Sequence, residues 1–194
     1  SGWAIGPPWQ STMTSRFTRR AASVPALIRG TQSASVSAVF APNWEVGSSG
    51  TEGRCSSGAV APVAEPFTLN DFWQGLQLNL PGGGGGELLR TAAGVQKPTD
   101  GANYQWVTNQ QVHLSCLSTI KNGSGEGFLA RTPDGTRYWF DWMGQSPETT
   151  TIQKIWAPGL NPVTVPPETY ILTRKKSFLY VTRVEDRFGN SVAY

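Results

Sequence analysis

Gly127-Phe128-Leu129-Ala130-Arg131, then Thr132-Pro133-Asp134-Gly135, then Thr136-Arg137-Tyr138-Trp139-Phe140-Asp141-Trp142, is the stretch that decides the fold class. Pro133 presets φ for a turn, Asp134 has a short side chain that bonds nearby backbone amides, and Gly135 tolerates a left-handed backbone. Runs rich in aromatic and β-branched residues flank that turn, so the segment is predicted as a β-hairpin with Pro133, Asp134 and Gly135 at its tip. Strict alternation on the return strand would put Tyr138, Phe140 and Trp142 on one face. Arg137, Trp139 and Asp141 would take the other. One set must be core. If it is the Tyr138 face, Trp139 stands outside, where its ring could stack on a ligand.

Working outward, the same period-two pattern recurs. Leu76-Gln77-Leu78-Asn79-Leu80 alternates cleanly. Glu87–Arg90, Tyr104–Thr108 and Val112–Cys116 read as further strands, and Ala34–Phe40 as a weak first one. In Val112–Cys116 the apolar positions Val112, Leu114 and Cys116 share a face, which leaves His113 as an exposed strand histidine. Gly82–Gly86 is an unbroken glycine run that favours no regular element and reads as a hairpin tip or flexible loop. Asn70–Gln74 reads as a helical turn capped by Asn70 or Asp71. Ser146–Glu168, with Pro147, Pro158, Pro162, Pro166 and Pro167, reads as a long loop holding a short strand at Ile152–Trp156. Arg174-Lys175-Lys176 reads as a solvated turn before a strand at Phe178–Val184.

Composition agrees with an all-β chain. The sequence has 22 Gly and 14 Pro in 194 residues, too many breakers for a helical bundle or coiled coil. Eight Trp, eight Phe and five Tyr set it apart from disordered chains, which lack aromatics. No apolar run approaches the ~18 residues that a membrane-spanning helix needs, so no membrane span is expected. Net charge is +3, but Arg16, Arg19, Arg20 and Arg29 precede the first acidic residue, so the excess lies in an N-terminal arm. That arm, 1–35, is predicted as basic and irregular, and nucleic acid is not an expected partner. The opening Ser1–Pro8 has no basic stretch before an apolar core and does not read as a signal peptide.

Chemistry-bearing patterns are sparse. The one histidine, His113, could pair with Asp141 or Asp134 in a triad, but no nucleophile elbow accompanies them. Gly82–Gly86 is followed by Glu87, where a phosphate loop needs Lys-Ser/Thr. Glu126, Asp134, Asp141, Glu185 and Asp186 are the acids that a glycosidase pair would draw on. No catalytic residues, cofactor or metal are assigned. Cys55 and Cys116 fit either a disulfide closing a long loop or two reduced thiols. Trp106, Trp139 and Trp142 are the candidates for stacking on a carbohydrate.

The last segment, Arg183-Val184-Glu185-Asp186-Arg187-Phe188-Gly189-Asn190-Ser191-Val192-Ala193-Tyr194, resembles the opening unit of an RHS or YD-repeat protein. Such units are hairpins with an Asp-x-x-Gly turn and a Tyr on the return strand, and Asp186, Gly189, Asn190 and Tyr194 stand at those positions. Arg54-Cys55-Ser56, Phe72-Trp73-Gln74-Gly75, Leu80-Pro81 with the glycine run, Glu87–Arg90, Lys97-Pro98, Asp100-Gly101 and the 127–140 hairpin resemble the region before the first repeats. The likeness is to large RHS proteins of Gram-negative bacteria of the Xanthomonas type, and it covers about 39–194. Residues 1–35 do not share it and fit either a genuine extension or a shifted reading frame.

The resemblance implies the start of a β-shell: antiparallel hairpins with long Gly/Pro-rich loops, divided as a pre-repeat domain at 36–178 and a truncated first hairpin at 179–194. It implies a secreted or cell-surface location and a non-catalytic role in enclosing a C-terminal toxin. The partners would then be the following repeats of the same polypeptide. On this reading 1–194 exposes a strand edge at Ser191–Tyr194 and associates through it. The alternative function is a carbohydrate-binding module, with a glycan as partner.

Overall fold

The computed structural model describes residues 34–39, 53–57, 66–72, 75–82, 84–156 and 168–194. The expected arm is therefore outside the described residues up to 33, and so is most of the Pro42–Pro66 loop. The described residues form an all-β fold: a nine-stranded antiparallel sheet whose strands follow one another in chain order. The strands are β1 (Ser35–Val39), β2 (Leu76–Asn79), β3 (Gly86–Arg90), β4 (Tyr104–Val107), β5 (His113–Leu117), β6 (Gly127–Arg131), β7 (Arg137–Trp156), β8 (Glu168–Glu185) and β9 (Ser191–Ala193).

β1 pairs with β2 on one side and with β8 on the other. That second pairing closes β1 to β8 into a barrel and leaves β9 outside the ring, held by β8 alone. At eight strands a barrel interior is just wide enough for side chains to fill. Here Val36, Leu76, Leu78, Leu88, Trp106, Leu114, Phe128, Phe140, Met143 and Leu179 fill it. The strand that reads as weakest in sequence is thus the one that closes the ring. Residues 34–38 are all buried, including Ser35 and Ser37.

β7 and β8 are far longer than expected. The predicted loop after Ser146 is strand as far as Trp156, and β8 begins at Glu168, so Arg174-Lys175-Lys176 lies within a strand and not in a turn. Pro147 is tolerated because the β7–β8 register shifts between Gln145 and Thr149. A bulge releases the backbone donor that proline lacks. β8 also runs unbroken through 178/179, where the sequence places a domain boundary.

A second bulge changes the faces of the key hairpin. The β7–β8 register shifts between Trp139 and Phe140 and again between Phe140 and Trp142. Alternation therefore breaks at Asp141: Phe140 and Met143 enter the core, and Trp142 moves to the outer side. The sequence expectation that Tyr138, Phe140 and Trp142 share a face fails for this reason. Asp141, grouped by alternation with Arg137 and Trp139, is buried at the bulge, where it accepts a hydrogen bond from Thr182.

The short helix, α1 (Leu69–Phe72), starts one residue before the expected turn. Its cap is Thr68, not Asn70 or Asp71. The Asp71 carboxylate reaches back to the Thr68 amide at 2.7 Å and its hydroxyl at 2.9 Å, as in a capping box. Lys154 of β7 binds the same carboxylate, and together these donors hold its pKa down at about 2.

Candidate functional site

Two neighbouring turns have one design. In the first, the Gly135 amide donates to Thr132 O and the Thr132 amide to Thr136 O. In the second, the Gly189 amide donates to Asp186 O and the Asp186 amide to Asn190 O. Gly135 has φ +91° and Gly189 has φ +89°, values that other residues adopt only with strain. An acidic side chain completes each. Asp134 accepts from Thr132 and from the Thr136 amide; Asp186 accepts from the Phe188 and Asn190 amides and from Asn190 Nδ2. These bonds favour the charged forms and lower both carboxyl pKa values. Pro133-Asp134-Gly135 and Asp186/Gly189/Asn190 are therefore turn-formers here. The turns also touch, because a β-carbon on Gly135 would meet Arg187 Cβ at 3.0 Å.

From the second turn β9 runs back along β8, with Arg183 opposite Ala193 and Glu185 opposite Ser191. Among the described residues no strand pairs with the other edge of β9. Ser191, Val192 and Ala193 are exposed, as is Phe188 in the turn. On that side β1 and β9 between them cover β8 from Lys176 to Glu185. The Tyr194 amide donates to Thr182 O, and the next amide, Val181, donates to Ala34 O at the head of β1. β9 and β1 thus lie end to end along one edge of β8.

Cys55 and Cys116 form a disulfide, with their Cα atoms 5.4 Å apart. It fastens the 53–57 turn to β5. Several polar contacts share that task. Glu126 accepts the Cys55 and Ser56 amides at 3.0 and 2.7 Å, buried Arg54 donates to Ser124 O at 2.7 Å, and Trp106 Nε1 donates to Cys55 O at 2.9 Å. The Arg90 guanidinium covers the Trp106 ring, 4.1 Å from its centroid. Trp106 is only 7% exposed, so of the three candidate stacking residues it is core.

The other two lie on the outer face of β7 and β8. Trp139 is half-buried between Leu129 of β6 and Arg183 of β8, whose guanidinium sits 4.7 Å from the ring centroid. Trp142 is cross-strand from Tyr180. Tyr180 stacks on Phe178, with centroids 5.5 Å apart and planes at 11°. Gly144, opposite Phe178, leaves the space that the Tyr180 ring occupies: a β-carbon there would come within 2.7 Å of the ring. Lys176 Nζ lies 5.2 Å from the Phe178 centroid. Sequence reading missed Phe178 and Tyr180. Their spacing of two and the small residue facing them on β7 was the available signal.

The acids considered for catalysis are dispersed and engaged. Glu126 holds the disulfide turn, Asp134 and Asp186 hold hairpin turns, Asp141 binds Thr182, and Glu185 pairs with Arg137 and Arg183. No hydrogen bond links His113 to Asp134 or Asp141. Contrary to the sequence expectation, His113 is 6% exposed; it contacts Tyr104 edge-on, and among the described residues its Nδ1 has no hydrogen-bond partner. Among the described residues no group of three or more His, Cys, Asp or Glu is placed to hold a metal.

Burial and the positive charge of Lys97 depress the His113 pKa below its ordinary ~6.5. The folded state therefore resists a proton that the unfolded chain accepts. This contribution is full above the unfolded pKa and is lost as pH falls from there through the lower folded pKa. Urea midpoints should drop between pH 7.5 and 5.5, and His113→Phe should flatten that interval. An equal slope in the variant would assign the loss to other groups. No family model, curated protein or solved structure matches the chain.

Proposed function

We propose that this chain is a non-catalytic structural segment of a secreted or cell-surface RHS-repeat protein. The closed barrel is its base, and the β8–β9 hairpin is the first unit of a β-shell that encloses a C-terminal toxin. The observation that carries this reading is β9 itself, a strand outside a closed ring with its far edge open among the described residues and its side chains exposed. An open edge presents backbone donors and acceptors to any strand laid beside it. Because β1 occupies β8 beyond Thr182, a strand that extends this end of the sheet adds to β9 and lies outside the barrel wall. The disulfide supports an exported location, since such bonds persist in oxidising compartments. Among the described residues no helix is long and apolar enough to cross a membrane.

The test is the association state of 1–194 in solution. Light scattering over a concentration series should show self-association, and Val192→Lys, a charge on the open edge, should abolish it with the melting curve unchanged. A strictly monomeric 1–194 with a single cooperative melt would overturn the edge reading. The second reading, a carbohydrate-binding module, is favoured by one observation: the aromatic row on the outer face of β7 and β8.

A further inference from the structure

β7 and β8 outrun the barrel. From Thr149 to Trp156 and from Glu168 to Lys175 they pair only with each other among the described residues, and so form a two-stranded ribbon beyond the ring. A lone two-stranded ribbon is marginal in water. One face of this ribbon is covered: Ile152, Tyr170 and Leu172 pack with Phe67, and Lys154 donates to Pro66 O and to the Asp71 carboxylate of α1. The other face is bare. The register sets Thr151 opposite Thr173, Gln153 opposite Ile171 and Ile155 opposite Thr169, which puts these six residues on one face, and all six are exposed. Ile155 is 72% and Ile171 65% exposed, and they are diagonal neighbours toward the outer end of the ribbon.

We propose that this bare face docks on an anionic lipid bilayer, with Ile155 and Ile171 entering the boundary between headgroups and acyl chains. Size argues against a protein partner. Five residues of two strands cover about 16 Å by 10 Å, or roughly 160 Å², whereas a stable protein interface takes ~800 Å² from each side. A bilayer needs no fitted area, because apolar side chains that sink about 5–10 Å into the boundary gain from burial alone. Composition argues for lipid. The six exposed residues bear no charge, and the sequence from Ile155 to Pro167, which leads from one strand to the other, holds none either. The next residue, Glu168, accepts a hydrogen bond from the Tyr170 hydroxyl. Charge argues for an anionic surface. Arg174, Lys175 and Lys176 follow on β8, about 10–16 Å behind Ile171, and outnumber the ribbon's acids, Glu148 and Glu168. Lys154 is already paired with Asp71. With the isoleucines buried, that spacing brings the cations to within about a Debye length of the headgroups. The ribbon uses the start of β8 and β9 pairs with its end. Ile171 and Arg183 are about 40 Å apart along the strand, so docking leaves the β9 edge free, and the proposal stands or falls independently of that edge.

The test is co-flotation of the full chain with vesicles of phosphatidylcholine and phosphatidylglycerol, with vesicles of phosphatidylcholine alone as the comparison. The expected result is binding to the mixed vesicles that weakens with added salt, with the neutral vesicles about fivefold weaker. Ile155→Asp together with Ile171→Asp changes two exposed side chains, should leave the melting curve in place, and should weaken vesicle binding about tenfold or more. If the aspartates lower the melting temperature, Ile155→Ser with Ile171→Ser applies the same test with polar residues that suit a strand. Val192→Lys, which alters only the β9 edge, should bind vesicles as the wild type does. Absence of binding to the mixed vesicles overturns the proposal. So does equal affinity for the neutral vesicles, binding that survives both isoleucine double variants, or loss of binding in Val192→Lys, which would assign it to the β9 edge. Light scattering without lipid closes the remaining route: dissociation of the chain by the isoleucine substitutions would make the face a contact between copies and overturn docking on lipid.

Discussion

Replacing Cys55 and Cys116 together by Ser is expected to cost about 4 kcal/mol, the chain-entropy value for a cross-link spanning many tens of residues. The bond joins positions 61 apart, so it removes much freedom from the unfolded chain. For a domain of this size that corresponds to a fall in Tm of about 8–16 °C. The 53–57 turn is also held by polar contacts. Glu126 accepts two of its amides, Arg54 is buried between it and the 124–126 segment, and Trp106 bonds Cys55 O. Thermal melts with and without reductant provide the check. Equal Tm values for wild type and the double variant would show that the polar contacts hold the turn alone.

Phe140→Ala is expected to cost about 3–5 kcal/mol, the range for a large aromatic removed from a packed core. Phe140 is fully buried, faces Phe128 on β6 and Val181 on β8, and follows the first β7–β8 register shift. The barrel cannot collapse onto the cavity, since its wall is a closed ladder. Phe188→Ala is the contrast: that side chain is 76% exposed in the β8–β9 turn, and its loss should change stability by no more than about 0.5 kcal/mol. Urea denaturation of both variants tests the pair. Similar losses in the two would mean that Phe188 is covered in solution, as association through the β9 turn would cause.

These two phenylalanines show what the sequence discloses. The 127–140 hairpin is legible because its determinants are local: Pro133, Asp134 and Gly135 specify the turn, and alternation specifies the face. Past Phe140 the same rule gives the wrong answer. A bulge adds one residue without leaving a mark in a run of aromatics, so strict alternation groups Trp142 with Phe140 and Asp141 with Trp139, and neither grouping holds. The length of β7 and β8 was hidden for another reason. Pro147 and Arg174-Lys175-Lys176 are poor strand signals by composition, yet each strand supplies the other with a continuous partner, and pairing overrides propensity. Burial of His113, Ser35 and Ser37 is a property of what packs over them, which no single-strand pattern contains.

The candidate site divides in the same way. Cys55 and Cys116 could be named from their number alone, whereas their pairing needed the fold. Trp139 and Trp142 could be named as aromatics, but the platform they border depends on Phe178, Tyr180 and the gap at Gly144. Those residues come together only when β7 and β8 are placed in register.

The end-to-end arrangement of β9 and β1 on β8 has a mechanical consequence. Tension arriving through Tyr194 and directed away from the barrel acts on a ladder of three residue pairs, which opens as a zipper does, one pair at a time. β1 is loaded differently: it is bonded along both edges, so its two ladders resist together and must yield at once. β9 therefore behaves as a fuse. It detaches at low force and leaves the closed ring intact, and it can reseat when the load is removed, because the slot on β8 keeps its shape without it.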